Sequence, residues 1–303
     1  MTGGAVSRTS KVWINGRLEP VDRALLTVTD RAFQVGDGIF ETIRVVGGRA
    51  LELPLHVSRL QASAAVLALP LPGELERYLG RAITDLCRAN GLDGGESQVA
   101  VRVTVSRGAV AGRALLPPDD VSPNVVVQAW PADPPPPELL DRGLHLTISA
   151  VRRDPLSPLA TVKTTSRAEF VYARLEARRR VADDSLFTTT DGHLAEATSA
   201  SIFLVQGEAL ATPSLDCGIV VSTTRGWVIS SGGPGLGLAV RQGQLSLDDL
   251  LAADEAFLAS SVAGIVPVTI VDGHLIGTGA PGPWTLRLRA LRESAASDTS
   301  VRG

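Results

Sequence analysis

Lysine is nearly missing from this sequence. Its 303 residues carry 29 lysines and arginines together, yet only Lys11 and Lys163 are lysines. Cysteine is just as scarce. Cys87 and Cys217 make neither a disulfide framework nor a thiolate metal cluster. His56, His145, His193 and His274 are scattered without metal-ligand spacing. No uninterrupted apolar run reaches the length of a membrane span, and residues 1–10 are too polar for a signal peptide, so a cytoplasmic protein is expected. A formal net charge of −3 gives no basic surface for nucleic acid or an anionic membrane. What remains is a chain with 44% hydrophobic residues, long enough for two domains with substantial cores.

Against that background Lys163 stands out. Lys11 lies in a polar lead-in, an ordinary place for a solvated charge. Lys163 lies in Leu159-Ala160-Thr161-Val162-Lys163-Thr164-Thr165-Ser166, among small, apolar and hydroxyl-bearing residues. Arginine does not give up its proton in a protein and cannot act as an amine nucleophile. Lysine can, once desolvation lowers its pKa. Chance survival of one lysine in an arginine-biased chain explains the composition equally well, so the surroundings decide. Ser166 followed by Glu169 has the spacing of a capping box, and Ala168 to Arg180 reads as a helix. Ser185 to Thr190 has strand composition, and Asp191-Gly192 is a hairpin turn. Glu196 then follows on an expected strand among small and apolar residues, where a carboxylate needs a charged or hydrogen-bonding partner.

Nearer the N-terminus, Val12 to Leu18 reads as strand, Asn-Gly turn, strand. Gly36-Asp37-Gly38-Ile39-Phe40-Glu41 is a tight bend feeding a β-branched run, and on its own is no more than a hairpin opening. His56-Val57-Ser58-Arg59-Leu60 starts a helix, and Glu74 to Asn90 is a second, amphipathic one. Gln98 to Ser106 and Val125 to Trp130 read as strands. Between them lies an irregular loop of the length that often serves function. Its one charge before Asp119-Asp120, Arg113, could meet a substrate carboxylate, although an exposed arginine is the commoner case. Asp133 and four consecutive prolines favour a stiff, extended segment and divide the chain into 1–132, a linker 133–138 and 139–303. Leu144 to Val151 is another strand. Past Val205, Ser222-Thr223-Thr224-Arg225 opens a short helix that glycines should soon interrupt. Val268 to Gly273 is a hairpin and Trp284 to Arg292 a last helix.

Taken together, Val162-Lys163-Thr164, Glu196-Ala197-Thr198-Ser199 before Ile202-Phe203, the glycine bend and His56-x-x-Arg59-Leu60 resemble the fold-type IV pyridoxal 5'-phosphate enzymes. That family includes branched-chain and D-amino acid aminotransferases, R-selective amine transaminases and aminodeoxychorismate lyases. The resemblance spans roughly Val12 to Arg292. It implies a two-domain α/β fold with the cofactor between the domains, and a homodimer. It implies that Lys163 holds pyridoxal 5'-phosphate as an imine and moves protons, and that Glu196 faces the ring nitrogen. Arg59, Thr223, Thr224 and Ser261 take phosphate-binding roles by the same likeness, and Phe40, Arg113 and Val262 are expected toward substrate. The implied reaction passes an amino group between an amino acid or amine and a 2-keto acid. Two alternatives stay open: elimination of pyruvate from aminodeoxychorismate, and a non-catalytic binding relative, which the retained Lys163, Glu196 and Arg59 disfavour. Three positions depart from the family pattern. Val181 stands where a helix-ending glycine is usual, Ser201 replaces a common asparagine, and Ser222 replaces a glycine at the phosphate turn, where its side chain is expected to crowd the phosphate.

Overall fold

A computed structural model describes residues 10–95, 97–112, 114–132 and 134–297. The chain forms two compact units. One comprises Met1–Asp133 with Val162–Ser166, the other Pro134–Thr161 with Arg167–Gly303.

The first unit is an antiparallel sheet covered by helices. Its strands are β1 (Lys11–Ile14), β2 (Arg17–Pro20), β3 (Gly38–Val46), β4 (Arg49–Ala50), β5 (Gln98–Ser106) and β6 (Asn124–Pro131), in the order β2-β1-β6-β5-β3-β4. Its helices are α1 (Arg31–Val35), α2 (Leu53–Val66) and α3 (Leu75–Ala89). In β5, Val99, Val101, Val103 and Val105 are all fully buried, because residues two apart share one face of a pleated strand. Leu79, Ile83 and Leu86 of α3 share one helix face and join the same core. Burying each such side chain is worth roughly 1.5–3 kcal/mol.

The second unit has a longer sheet that returns on itself. Its strands are β7 (Leu144–Arg153), β8 (Asp184–Thr189), β9 (Leu194–Ala197), β10 (Ser201–Gln206), β11 (Ala209–Pro213), β12 (Ala239–Gly243), β13 (Glu255–Ser260), β14 (Gly264–Val271) and β15 (His274–Leu275). Its helices are α4 (Pro137–Arg142), α5 (Ala168–Arg179), α6 (Thr223–Trp227), α7 (Gly233–Gly235), α8 (Leu247–Leu251) and α9 (Pro283–Ser297). The path β10-β13-β14-β7-β8-β9 closes when β9 meets β10 again through Ser201 and Glu196. Closure of a sheet removes its exposed edges and fixes Glu196 at the closing pair.

Three local expectations need correction. The Ser166–Glu169 capping box does not form, and Arg167 stands at the N-cap of α5 without a side-chain cap. The Ser166 hydroxyl is instead engaged with the Gly36 carbonyl at 3.2 Å. The proline run is not extended throughout, since Pro137 opens α4, where a missing N–H costs nothing. The glycines after Thr223 do not end the helix, which continues as a π-helical turn, Val228–Gly232, into α7. Ser222 caps α6, its hydroxyl accepting from the Arg225 N–H at 3.2 Å. That bond gives this departure from the family pattern a local role.

Helix α5 ends in a Schellman motif. Ala182 N–H donates to the Ala177 carbonyl at 2.9 Å and Val181 N–H to Arg178 at 3.2 Å. The motif requires a left-handed residue, and Val181 supplies it at φ 57°.

Candidate active site

In the first unit the site is built on the glycine bend. Gly36 caps α1 at φ 70°, and Asp37 accepts from Arg31 Nε at 2.8 Å and Arg107 Nε at 2.7 Å. Burial pushes the Asp37 carboxyl up, but the Arg107 and Arg31 guanidiniums outweigh it and hold its pKa below the usual value. Against this bend lies the segment Val162–Ser166. Lys163 carbonyl accepts from Phe40 N–H at 2.9 Å, Thr165 N–H donates to Gly38 at 2.9 Å, and Lys163 N–H donates to Ser63 Oγ at 3.2 Å. A Cβ at Gly38 would meet the Val105 carbonyl at 2.8 Å and Thr165 Oγ1 at 3.1 Å, so the close approach requires glycine. The backbone of Lys163 is therefore fixed on both sides. Its Nζ lies 4.8 Å from the centroid of the buried Phe40 ring, over which the Arg102 guanidinium also sits at 3.8 Å.

Arg59, on α2, donates to both oxygens of Glu41, Nε at 2.7 Å and a terminal nitrogen at 2.5 Å. His56 Nδ1 lies 2.7 Å from the same carboxylate. Burial alone would raise the Glu41 pKa, but the hydrogen bonds from Arg59 and His56 win and lower it to about 2. The carboxylate thus fixes the direction of the Arg59 fork.

In the second unit Glu196 lies on β9 at the sheet closure, almost fully buried. Its Oε2 accepts from Val220 N–H at 3.3 Å, and its Oε1 lies 3.7 Å from an Arg153 guanidinium nitrogen. Arg153, the last residue of β7, also donates to the Ala160 carbonyl at 2.7 Å. Thr223 Oγ1 and Ser261 Oγ lie 3.3 Å apart. Beside Thr223 in sequence, Thr224 is fully buried and its hydroxyl has no hydrogen-bond partner among the described residues. A buried hydroxyl without a partner costs about 1–3 kcal/mol. An acceptor-rich anionic ligand group would satisfy it, which fits a phosphate.

The expected residues thus divide between the units. Lys163, Phe40 and Arg59 belong to the first, with Lys163 and Phe40 in contact. Glu196, Thr223, Thr224, Ser261 and Val262 belong to the second, the last two in the turn after β13. Arg113 lies outside the described residues. Two residues were invisible to sequence reasoning. Arg102 gave no signal in its alternating strand, and Arg153 is 43 positions from the carboxylate it faces.

The fold is of the α/β class, with the lysine amine carried by one unit and the buried, arginine-faced carboxylate by the other. Comparison with known proteins identifies an enzyme family. Residues 38–271 match the family described as amino-transferase class IV. A putative branched-chain-amino-acid aminotransferase of Methanocaldococcus jannaschii is 31% identical over 92% of this chain and 94% of its own. D-alanine aminotransferase of Bacillus licheniformis is 30% identical over 96% and 99%. The solved structure of the Escherichia coli branched-chain amino acid aminotransferase superimposes with a TM-score of 0.89 at 26% identity, covering 97% of each chain. Another solved branched-chain amino acid aminotransferase, this one with pyridoxamine 5'-phosphate, gives a TM-score of 0.88 at 27% identity over 95% of this chain and 94% of that one. The chain belongs to the class IV aminotransferase family.

Proposed function

We propose that this protein is a pyridoxal 5'-phosphate-dependent transaminase for an amino acid donor and a 2-keto acid acceptor, and that it works as a homodimer. The observation that carries the reading is Lys163, held by its backbone on the glycine bend with its amine against the buried Phe40 ring. When bound, the cofactor supplies an electron sink for charge developing at the substrate Cα. Lys163 would hold the cofactor through its amine and, as general acid and base, would move a proton at the substrate Cα. Glu196 would favour a protonated ring nitrogen when the cofactor is bound, and Arg153 and Val220 N–H steady the carboxylate. Thr223, Thr224 and Ser261 offer hydroxyls to the phosphate, and Arg59 offers its guanidinium, which suits a dianion. Phe40 shapes the space beside the lysine amine.

The homodimer reading is supported by an apolar surface on the first unit. Leu25, Val28, Phe33, Leu115 and Leu116 are each at least three-quarters exposed. Arg31 ties two of their segments together by donating to the Ala114 and Leu115 carbonyls. Sedimentation should report a dimer.

Borohydride reduction followed by peptide mapping tests the central claim. The cofactor should be fixed on Lys163, and Lys163→Ala should lose both adduct and turnover. Mapping to Lys11 would refute it. Assays with a donor and acceptor, and separately with aminodeoxychorismate, distinguish amino transfer from pyruvate release.

A further inference from the structure

Phe170 lies on the first turn of α5 and is buried with Ala173, Phe187, Ala195, Cys217 and Ile219. Two of these neighbours flank the carboxylate site: Ala195 precedes Glu196, and Ile219 precedes Val220, whose N–H meets it. More informative is what sits on the ring. The Arg167 guanidinium carbon lies 3.2 Å from the ring centroid and that of Arg153 lies 5.2 Å from it. The two arginines reach opposite ends of the segment Glu196-Ala197-Thr198. Arg153 faces Glu196 itself at 3.7 Å. Arg167 donates to the carbonyl of Thr198 at 2.6 Å, while the Thr198 hydroxyl donates to Asp184 at 2.6 Å. The Arg153 side chain is only 10% exposed, and its Nε has no hydrogen-bond partner among the described residues. Hydrogen bonds alone therefore leave its orientation incompletely fixed, and an aromatic face is an attractive surface for a desolvated guanidinium. Phe170 is itself held edge-on by Phe187 at 5.2 Å.

We infer that Phe170 is a positioning residue for Glu196: one aromatic ring seats the two arginines that fix the carboxylate and the turn behind it. This rests on the proposed role of Glu196 at the cofactor ring nitrogen. A merely structural Phe170 would be replaceable by any apolar side chain that restores packing. A positioning Phe170 requires the π face.

Phe170→Leu keeps an apolar side chain and removes that face, whereas Phe170→Tyr keeps it. Three readouts separate the roles: thermal unfolding of the apoprotein, the pH midpoint of the bound cofactor's visible band, and the split between kcat and KM. Phe170→Leu should move the visible-band midpoint in the same direction as Glu196→Gln and lower kcat roughly tenfold, the scale of one buried cation–π contact, with KM little changed. Phe170→Tyr should restore both. The double variant Phe170→Leu/Glu196→Gln should shift the band no further than Glu196→Gln alone, because both act through one carboxylate. Where Phe170→Leu does not fold, Arg167→Gln removes one seated cation and should give the same signature more weakly. A Phe170→Leu variant that changes apoprotein stability alone, or whose shift adds to that of Glu196→Gln, overturns the proposal. A Glu196→Gln band that titrates like wild type overturns the reading of Glu196, and the positioning role with it.

Discussion

Replacing Val181 by glycine should make the protein more stable, although it removes a side chain and increases chain freedom. Val181 occupies the left-handed position of the Schellman motif that ends α5, at φ 57°. The left-handed region costs an L-residue roughly 1–2 kcal/mol through the clash of Cβ with the following carbonyl. A β-branched residue is a genuine outlier there. The side chain is 88% exposed, so little packing is lost when it goes. Against the relieved strain stands the greater unfolded-state entropy of glycine, about 0.5–1 kcal/mol. The balance favours Val181→Gly by about 0.5–1 kcal/mol, a rise in Tm of roughly 1–2 °C. The control is Val181→Ala, which removes the branching but keeps the Cβ, and should gain less. Thermal unfolding followed by circular dichroism, at fixed protein concentration with cofactor saturating, measures all three. Catalytic rates should not move, since the Val181 side chain is exposed at the end of α5. A Val181→Gly protein no more stable than wild type would refute the strain argument.

Gly38→Ala should loosen the Lys163 segment, because the new methyl meets the Val105 carbonyl at 2.8 Å and Thr165 at 3.1 Å; equilibrium dialysis should show weaker cofactor retention, and retention equal to wild type would contradict the close-approach argument. Glu41, whose folded pKa is lowered from 4.5 to about 2, contributes stability that is fully present above pH 4.5 and is lost as pH falls toward 2. Unfolding titrations of wild type and Glu41→Gln should therefore differ most above pH 4.5 and converge through that acid window, and a constant difference down to pH 2 would contradict the pairing with Arg59 and His56.

The sequence by itself singled out the candidate residues for the chemistry. An arginine-rich chain that keeps Lys163 in a small-residue segment, and sets Glu196 among apolar neighbours, draws attention to an amine and a carboxylate, and the resemblance to the family gives them roles. Periodicity located α3 and β5 because burial of one face imposes its period on the residues themselves. The end of α5 was marked through the family pattern, which has a glycine where Val181 stands, and the structure gives that position its left-handed φ. What pairs with what was decided only by tertiary structure. Closure of β9 onto β10 puts Glu196 before Arg153, and Phe170 meets two guanidiniums that belong to different parts of the chain. Ser166 carries a capping pattern but commits its hydroxyl to Gly36, 130 residues away. Hydrogen bonds, ion pairs and ring contacts act over a few ångströms regardless of sequence separation. A motif can therefore name its reactive groups, while only the folded chain selects their partners.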